Sequence, residues 1–510
     1  MTRRIAGWRR TAARVLAALA LPGLLAVPAR AQSQADFAAL DRGARAAMVQ
    51  WGQPGLALAV VRKGAAPWLR GYGVRSRETG EPVDPATVFG IGSCSKTFAA
   101  ASVALLVARG RLDWETRVSA LLPWFQARDP WVTRELTMRD LLANRSGLRS
   151  EAIRTAATSR RSYLETVARS EPLHPFRANY AYSSDMFTVA GEAVAAAGGA
   201  ASWEEFAARE LWRPLGLADT GADYRIARTM ADAATPYQFV GGALVPIEWR
   251  FEDDIALPAA GMNSSVRDLA AWLAFLLGER RPGAPALDDA ILAETRQAQI
   301  PLRGPFNDSP FRDVAGVSDE AYGLGWFLMR YRGTAVLYHH GSQDGFRCFT
   351  AIVPELGLGF AALGNSPYAG LPRALFLDLI DRVQGRPPAG WSSAFLERQR
   401  KAIAAIDARE AALSGARAAT APPRQGGAYA GRYGDGGPIG AALVAAEGGA
   451  LTLTIGRETF DLAPWKGDWF AVMPRRSWPA PRQALLEFRA GPDGRITGLS
   501  LDGHILEREQ

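Results

Sequence analysis

Apolar positions recur at helical spacing from residue 35 to 50, which predicts an amphipathic opening helix. Two strands follow, Gly55 to Arg62 and Pro67 to Val74, joined by a turn at Lys63-Gly64. A long apolar helix is expected from about Ser93 to Arg109, stopped by Gly110, and helical segments broken by Pro and Gly fill much of 110 to 300, Arg267 to Leu277 among them. Strand patterns return at Gly325 to Met329, Ala335 to Tyr338, Phe346 to Val353 and Leu358 to Leu363, with Pro354-Glu355-Leu356-Gly357 turning the chain between the last two. Leu371 to Val383 reads as a closing helix. Strands at both ends of a helical insertion imply one sheet assembled from the two ends, with helices packed against it, an α/β arrangement.

Beyond Ser392 a charged helical stretch reaches about Ala416, and Thr420 to Gly427, rich in Pro and Gly, reads as a linker. From Ala428 the pattern changes to short strands punctuated by glycine: Ala441 to Ala445, Leu451 to Ile455, Ala484 to Phe488 and Ile496 to Leu501. These predict a separate small all-β domain, a barrel. Trp465, Trp469 and Trp478 are expected to fill its core.

At 510 residues, 48% of them hydrophobic, the chain has room for two or three domains with cores of their own. Its formal charge of +8 would suggest an acidic partner, but six arginines and no acid fall within residues 1–31, and the remainder carries only +2. Nucleic-acid binding loses its main support. Within that opening stretch, arginines precede an apolar run from Val15 to Val27, and Ala29-Arg30-Ala31 offers small residues to a signal peptidase. That is a secretory signal with cleavage after Ala31, and it predicts a periplasmic or secreted protein with no stable membrane insertion. About thirteen apolar residues are too few to cross a ~30 Å hydrocarbon core, although a retained anchor and a twin-arginine route are the alternatives.

Only Cys94 and Cys348 are present, and they are expected as two unpaired buried hydrophobes rather than a disulfide. No His-Glu-x-x-His or Cys-x-x-Cys occurs, so neither a metal site nor a cofactor is expected. A Gly-x-Ser-x-Gly elbow is also missing, which removes the α/β-hydrolase reading. Lysine is scarce, with Lys63, Lys96, Lys401 and Lys466 the only four among 59 basic residues. Lys96 stands in Ser93-Cys94-Ser95-Lys96, just after Gly90-Ile91-Gly92 and at the start of the long apolar helix. Serine and lysine three apart on a helix share a face, so the amine can take the hydroxyl proton while the helix terminus offers N–H groups to an oxyanion. Such a nucleophile needs a second proton carrier and a second oxyanion donor. Tyr182-Ser183-Ser184, in a polar loop before an apolar helix, and His339-His340-Gly341-Ser342, after a strand, are the candidates.

These three segments, in this order and spacing, resemble the motifs of the penicillin-recognising serine hydrolases, a group that includes class C β-lactamases, D-Ala-D-Ala carboxypeptidases, D-aminopeptidases and esterases. Leu141 to Leu148, Pro214 to Leu217, Gly261 to Leu269, Tyr322 to Trp326 and Leu363-Gly364-Asn365 agree, and the resemblance covers about residues 35 to 385. It implies an antiparallel sheet flanked by helices with a mainly helical subdomain over 32–390. Residues 391–427 would be a helical, Pro-rich linker, and 428–510 resemble the lipocalin-like domain attached to some of these hydrolases. It further implies an acyl-enzyme mechanism: Ser93 attacks a carbonyl, Lys96 and Tyr182 handle its proton, and the N–H groups of Ser93 and Ser342 hold the oxyanion. His339 would tune Tyr182 and, with Gly341, help place the substrate. Ser184 stands where the group usually has asparagine, so recognition of an acylamido side chain is weakened. His339 in place of lysine ranks peptide or ester hydrolysis above β-lactam hydrolysis. The expected partner is a small-molecule or short-peptide substrate. A non-catalytic penicillin-binding sensor is the alternative from another class, and it would have no use for Ser93, Lys96 and Tyr182 together.

Overall fold

In the computed structural model the described residues are 29–148, 159–240, 243–249, 257–304, 307–387, 389–417, 424–434, 441–448, 450–455, 458–474, 484–501 and 504–509. The predicted signal segment lies outside them up to residue 28. Helix α1 (Ala29–Trp51) begins three residues before the predicted cleavage point.

Strand β1 (Gly55–Arg62) is apolar and buried from Gly55 to Val61 because both of its faces are covered. It pairs antiparallel with β2 (Trp68–Gly73) and, from the far end of the domain, with β12 (Leu358–Gly364). Between them in sequence come β3 (Phe89–Gly90), the hairpin β4 (Tyr237–Val240) and β5 (Ala243–Pro246), β6 (Asn263–Ser264), β7 (Ile300–Pro301), β8 (Val317–Tyr322), β9 (Phe327–Tyr331), β10 (Thr334–Gln343) and β11 (Phe346–Val353). The main sheet has eight strands in the order β2-β1-β12-β11-β10-β9-β8-β7, and β3 pairs separately with β6. One sheet is thus built from the two ends of the domain, as the sequence pattern implies. Between the two ends run α2 (Ser95–Ala108), α3 (Met138–Leu142), α4 (Ser184–Gly198), α5 (Leu257–Ala260) and α6 (Val266–Leu276). Helices α7 (Gly370–Val383) and α8 (Trp391–Arg417) follow the sheet.

Strand β10 corrects the sequence reading. The histidine motif was placed after a strand ending at Tyr338, but the strand continues through His339-His340-Gly341-Ser342 to Gln343, pairing Gly341 with Cys348 and Ser342 with Arg347. The motif residues read as loop because they are polar. They remain strand because β11, buried over most of Phe346 to Val353, supplies the ladder.

Residues 431–508 form a closed barrel in which eight strands follow one another around the ring: β13 (Gly431–Gly434), β14 (Ala442–Glu447), β15 (Ala450–Ile455), β16 (Glu458–Lys466), β17 (Trp469–Pro474), β18 (Ala484–Ala490), β19 (Ile496–Leu501) and β20 (His504–Arg508). Its core is Tyr429, Tyr433, Leu453, Phe470, Phe488, Leu499 and their neighbours. The tryptophan expectation is wrong at Trp469, which is 39% exposed because strand alternation turns it outward and Phe470 inward. Trp465 is only half-buried, and Trp478 lies outside the described residues.

Two glycines weld the sheet to the turn before the first motif. A Cβ on Gly341 would stand 1.8 Å from the carbonyl oxygen of Ile91, and one on Gly92, at φ +52°, would stand 2.6 Å from Ser342 N. Only glycine lets the two backbones approach this closely. Gly341→Ala should therefore force them apart and destabilise the fold by about 1–3 kcal/mol, with a parallel loss of Ser93 reactivity. Chemical denaturation together with labelling kinetics would check this, and an unchanged denaturation midpoint would contradict it.

Candidate active site

The chain leaves β3 through Ile91, makes a single 3-10 turn over Gly92–Cys94, and enters α2 at Ser95. Ser95 locks this entry: its Oγ donates to Gly92 O at 2.6 Å and accepts from Met262 N at 3.2 Å. Ser93 therefore sits half-buried on the turn, with Lys96 one helical turn further on, fully buried.

Three oxygens from separate parts of the chain are among the partners of the Lys96 amine. Nζ lies 3.1 Å from Ser93 Oγ, 3.1 Å from Ser184 Oγ and 3.0 Å from the carbonyl oxygen of Ala259. Two rings flank it, with Nζ 4.7 Å from the ring centroid of Tyr182 and 5.4 Å from that of Phe187. The structure thus brings Ser93, Lys96, Tyr182 and Ser184 together, as the sequence predicts. It gives Ser184 a place the sequence reading did not: its hydroxyl is hydrogen-bonded to the amine. Ala259 was missed, since a main-chain carbonyl leaves no mark in the residue type that bears it.

The loop carrying Tyr182 is pinned from below. Asn144, buried and at φ +52°, accepts from Ala181 N through its carbonyl oxygen at 2.9 Å and from Ser183 N through Oδ1 at 3.0 Å. One residue thus brackets Tyr182 on both sides. Asparagine tolerates the left-handed region better than most side chains. Its own turn is braced by Asp140, which receives Arg145 Nε at 2.6 Å and Arg177 Nη2 at 2.7 Å. These cations and the Thr137 N–H keep the Asp140 carboxyl below the usual carboxylate range against its burial, which acts the other way. Asn144 lay inside a landmark segment of the sequence, but nothing there marked it as the clamp.

His339 is fully buried, and both of its ring nitrogens are engaged within the protein. Nδ1 stands 2.8 Å from the carbonyl oxygen of His340, which can only accept, so Nδ1 carries the proton and Nε2 accepts from Tyr322 Oη at 3.1 Å. Burial first, and the Lys96 charge second, lower the His339 pKa to about 3. The imidazole is a neutral strut between Tyr322 and the β10 backbone. Cys94 and Cys348 are both buried and free, with Cys94 Sγ 3.4 Å from the carbonyl oxygen of His339. Gly341 and Ser342 meet the turn before Ser93 through their backbones, while the Ser342 side chain is exposed.

A family model described as Beta-lactamase matches residues 40–381, well over half of the chain. The chain belongs to the beta-lactamase family. A second model, described as a domain of unknown function (DUF3471), matches residues 416–510. Among curated relatives, the unguisins hydrolase ungD' of Aspergillus campestris (strain IBT 28561) is 29% identical over 376 residues, covering 69% of this chain and 67% of that protein. Protein flp of Staphylococcus aureus (strain COL) is 23% identical over 318 residues, covering 61% and 59%. The chain thus spans about two-thirds or less of the length of these relatives. Among solved structures, the octameric penicillin-binding protein homologue from Pyrococcus abyssi superposes with a TM-score of 0.59 at 20% identity, covering 92% of this chain and all of that one. The β-lactamase/D-alanine carboxypeptidase from Pseudomonas syringae gives 0.56 at 21%, covering 69% and 99%. At these identities the likeness is one of fold.

Two outcomes follow from the site's geometry. Asn144→Ala removes the Oδ1 acceptor from a buried N–H and should cost about 1–3 kcal/mol while slowing Ser93 labelling; Asn144→Asp, which keeps the oxygen, should retain more of both. The second outcome concerns pH. With the folded pKa of His339 lowered to about 3, the unfolded chain binds the extra proton between about pH 3 and 6.5, so this group weakens the fold as pH falls through that window. His339→Gln should reduce the slope of stability against pH there by up to about 1.4 kcal/mol per pH unit. Urea titrations at pH 4.5 and 7.5 would measure it, and equal slopes in the two proteins would refute the assignment.

Proposed function

We propose that this protein is an exported serine hydrolase that cleaves amide bonds of small or D-amino-acid-containing peptides through an acyl-enzyme on Ser93. The observation that carries the reading is the 3.1 Å contact between Ser93 Oγ and the amine of Lys96, a fully buried side chain whose amine also meets Ser184 Oγ, the carbonyl oxygen of Ala259 and the ring of Tyr182. In its neutral form the amine accepts the serine proton as Oγ attacks a carbonyl carbon. The N–H groups of Ser93 and Ser342, on backbones that Gly92 and Gly341 allow to touch, receive the oxyanion. A helix turn and a strand hold these donors before any substrate arrives, so no reorganisation is needed when charge develops.

Family membership supports hydrolysis. Relatives named as unguisins hydrolases point the same way. Ester and β-lactam cleavage use the same acylation step and are the alternatives. Export rests on the arginine-then-apolar opening segment and its small residues at Ala29 and Ala31.

Intact-protein mass spectrometry after exposure to a fluorophosphonate, and separately to a penicillin, tests the reading. The wild type should gain one adduct, absent in Ser93→Ala and reduced at least tenfold in rate in Lys96→Ala. A folded wild type that gains none would turn the interpretation to a non-catalytic sensor.

A further inference from the structure

A cavity of about 920 Å³ shares a wall with the catalytic amine but plays no part in the acyl-enzyme chemistry. None of Ser93, Lys96, Tyr182, Ser184, His339 or Ser342 lines it. We propose that it is an effector site: it takes a small apolar molecule carrying one negative charge, and its occupancy alters the reactivity of Ser93. The effector role rests on the acyl-enzyme reading; the binding site itself does not.

The lining charges fix the sign of the guest. Arg160 is paired with Glu192 at 3.0 Å and Glu204 at 2.7 Å, Arg225 with Asp223 at 2.8 Å, and Asp219 with Arg267 at 2.8 Å. Each of these lining acids thus already faces a cation. Arg213 also lines the cavity, and it is exposed with no acidic partner among the described residues. The open charge is therefore positive, and a carboxylate answers it with two oxygens. The rest of the wall is largely apolar. Trp212, Leu217, Ala222, Ala227 and Leu257 are buried there, whereas Ile226, large and aliphatic, is exposed. A lone exposed isoleucine is ordinary, but one that shares a concave site with an unpaired arginine suits an amphiphile.

Two irregularities set this wall apart from ordinary core. The helix that begins at Trp203 widens into a π turn over Ala208–Trp212 before α-helical winding resumes at Arg213–Leu215. Such turns are rare and concentrate at functional sites. Two buried atoms of lining residues, Nε1 of Trp212 and Oδ1 of Asn263, have no hydrogen-bond partner among the described residues, although buried groups of this kind are normally satisfied. Neither irregularity serves the nucleophile.

The cavity reaches the active site through short shared elements. Leu257, on its wall, is the first residue of α5, and the carbonyl of Ala259, two residues later, holds the Lys96 amine at 3.0 Å. Asn263, also on the wall, pairs with Gly90 in the strand that leads into the Ser93 turn. The Asn263 backbone exchanges two hydrogen bonds with that of Gly221, in the lining loop, at 3.1 and 2.9 Å. A guest that presses on Leu257 or on this loop therefore moves a carbonyl bonded to the amine and the strand before the nucleophile, because a close-packed interior transmits displacement.

Isothermal titration calorimetry with octanoate and with N-acetyl-D-leucine tests the site. The two probes separate a fatty chain from an acylated amino acid as the apolar body, and octylamine is the charge control. The wild type should bind one or both anions saturably at one site, and octylamine should bind about tenfold or more weakly. Arg213→Glu and Ala218→Trp alter exposed lining positions. Their thermal midpoints should therefore stay in place while affinity for the anion falls by about tenfold or more. With the anion saturating, fluorophosphonate labelling of wild-type Ser93 should change in rate by about fivefold or more, the low end of the usual coupling between sites. Labelling of Arg213→Glu should not respond. No saturable binding to the wild type, equal binding of octylamine, or affinity unchanged in both lining variants would each overturn the site. Binding that leaves the labelling rate alone overturns the effector role. A wild type that does not label removes the acyl-enzyme reading and the effector role together, whereas the calorimetry still decides the site.

Discussion

The burial of one amine organises this protein. Lys96 is fully removed from water, and a buried nitrogen must find its hydrogen bonds inside the protein or destabilise the fold by several kcal/mol. Its oxygens come from three distant parts of the chain: residue 93 on the turn before α2, residue 184 at the start of α4 and residue 259 in α5. The helical insertion must therefore close against the sheet for the amine to be satisfied. The same closure that completes the fold assembles the nucleophile with its proton acceptor.

The sheet contributes through close backbone approach rather than through side chains. β10 runs past the nucleophile turn with Gly341 against Ile91 and Ser342 against Gly92. His339, whose identity suggests chemistry, is a buried spacer that holds Tyr322 and the β10 backbone in place. The main chain around it does the positioning. This explains why the strand stays regular through four residues that would suit a loop: any bulge would open the seam that aligns Ser342 N with the turn.

The parts that could be read from the sequence were those written in side chains with a period. β1, β11 and β19 match their apolar runs residue for residue, and Ser93 with Lys96 declares itself through helical spacing. Contributions of the backbone were not legible. Ala259 offers a carbonyl that any residue could offer, and Asn144 acts through a left-handed conformation that becomes necessary only once α3 and the Tyr182 loop are in place. In the barrel, β13, β16, β17 and β20 escaped, the last two because single-layer strands alternate inward and outward over few residues. Phe470 faces in beside an exposed Trp469, and Leu506 faces in beside Ile505, which is 48% exposed. Such a pattern is too short to separate from a loop.

The surroundings also narrow the routes a proton can take. Burial pushes Tyr180 and Tyr322 well above the ordinary phenol range, with neighbouring acids and phenols adding to it, so both stay protonated and cannot serve as bases. His339 is held neutral down to about pH 3 by burial and the nearby lysine, and its one basic nitrogen already accepts from Tyr322. Burial and its neighbour Cys94 raise the Cys348 thiol, which keeps it from acting as a base. Among the described residues, the groups near Ser93 that can carry a proton include the Lys96 amine, the half-buried hydroxyl of Ser184 and the half-buried phenol of Tyr182. With these groups withdrawn, the fate of the serine proton depends on the contacts made by the Lys96 amine.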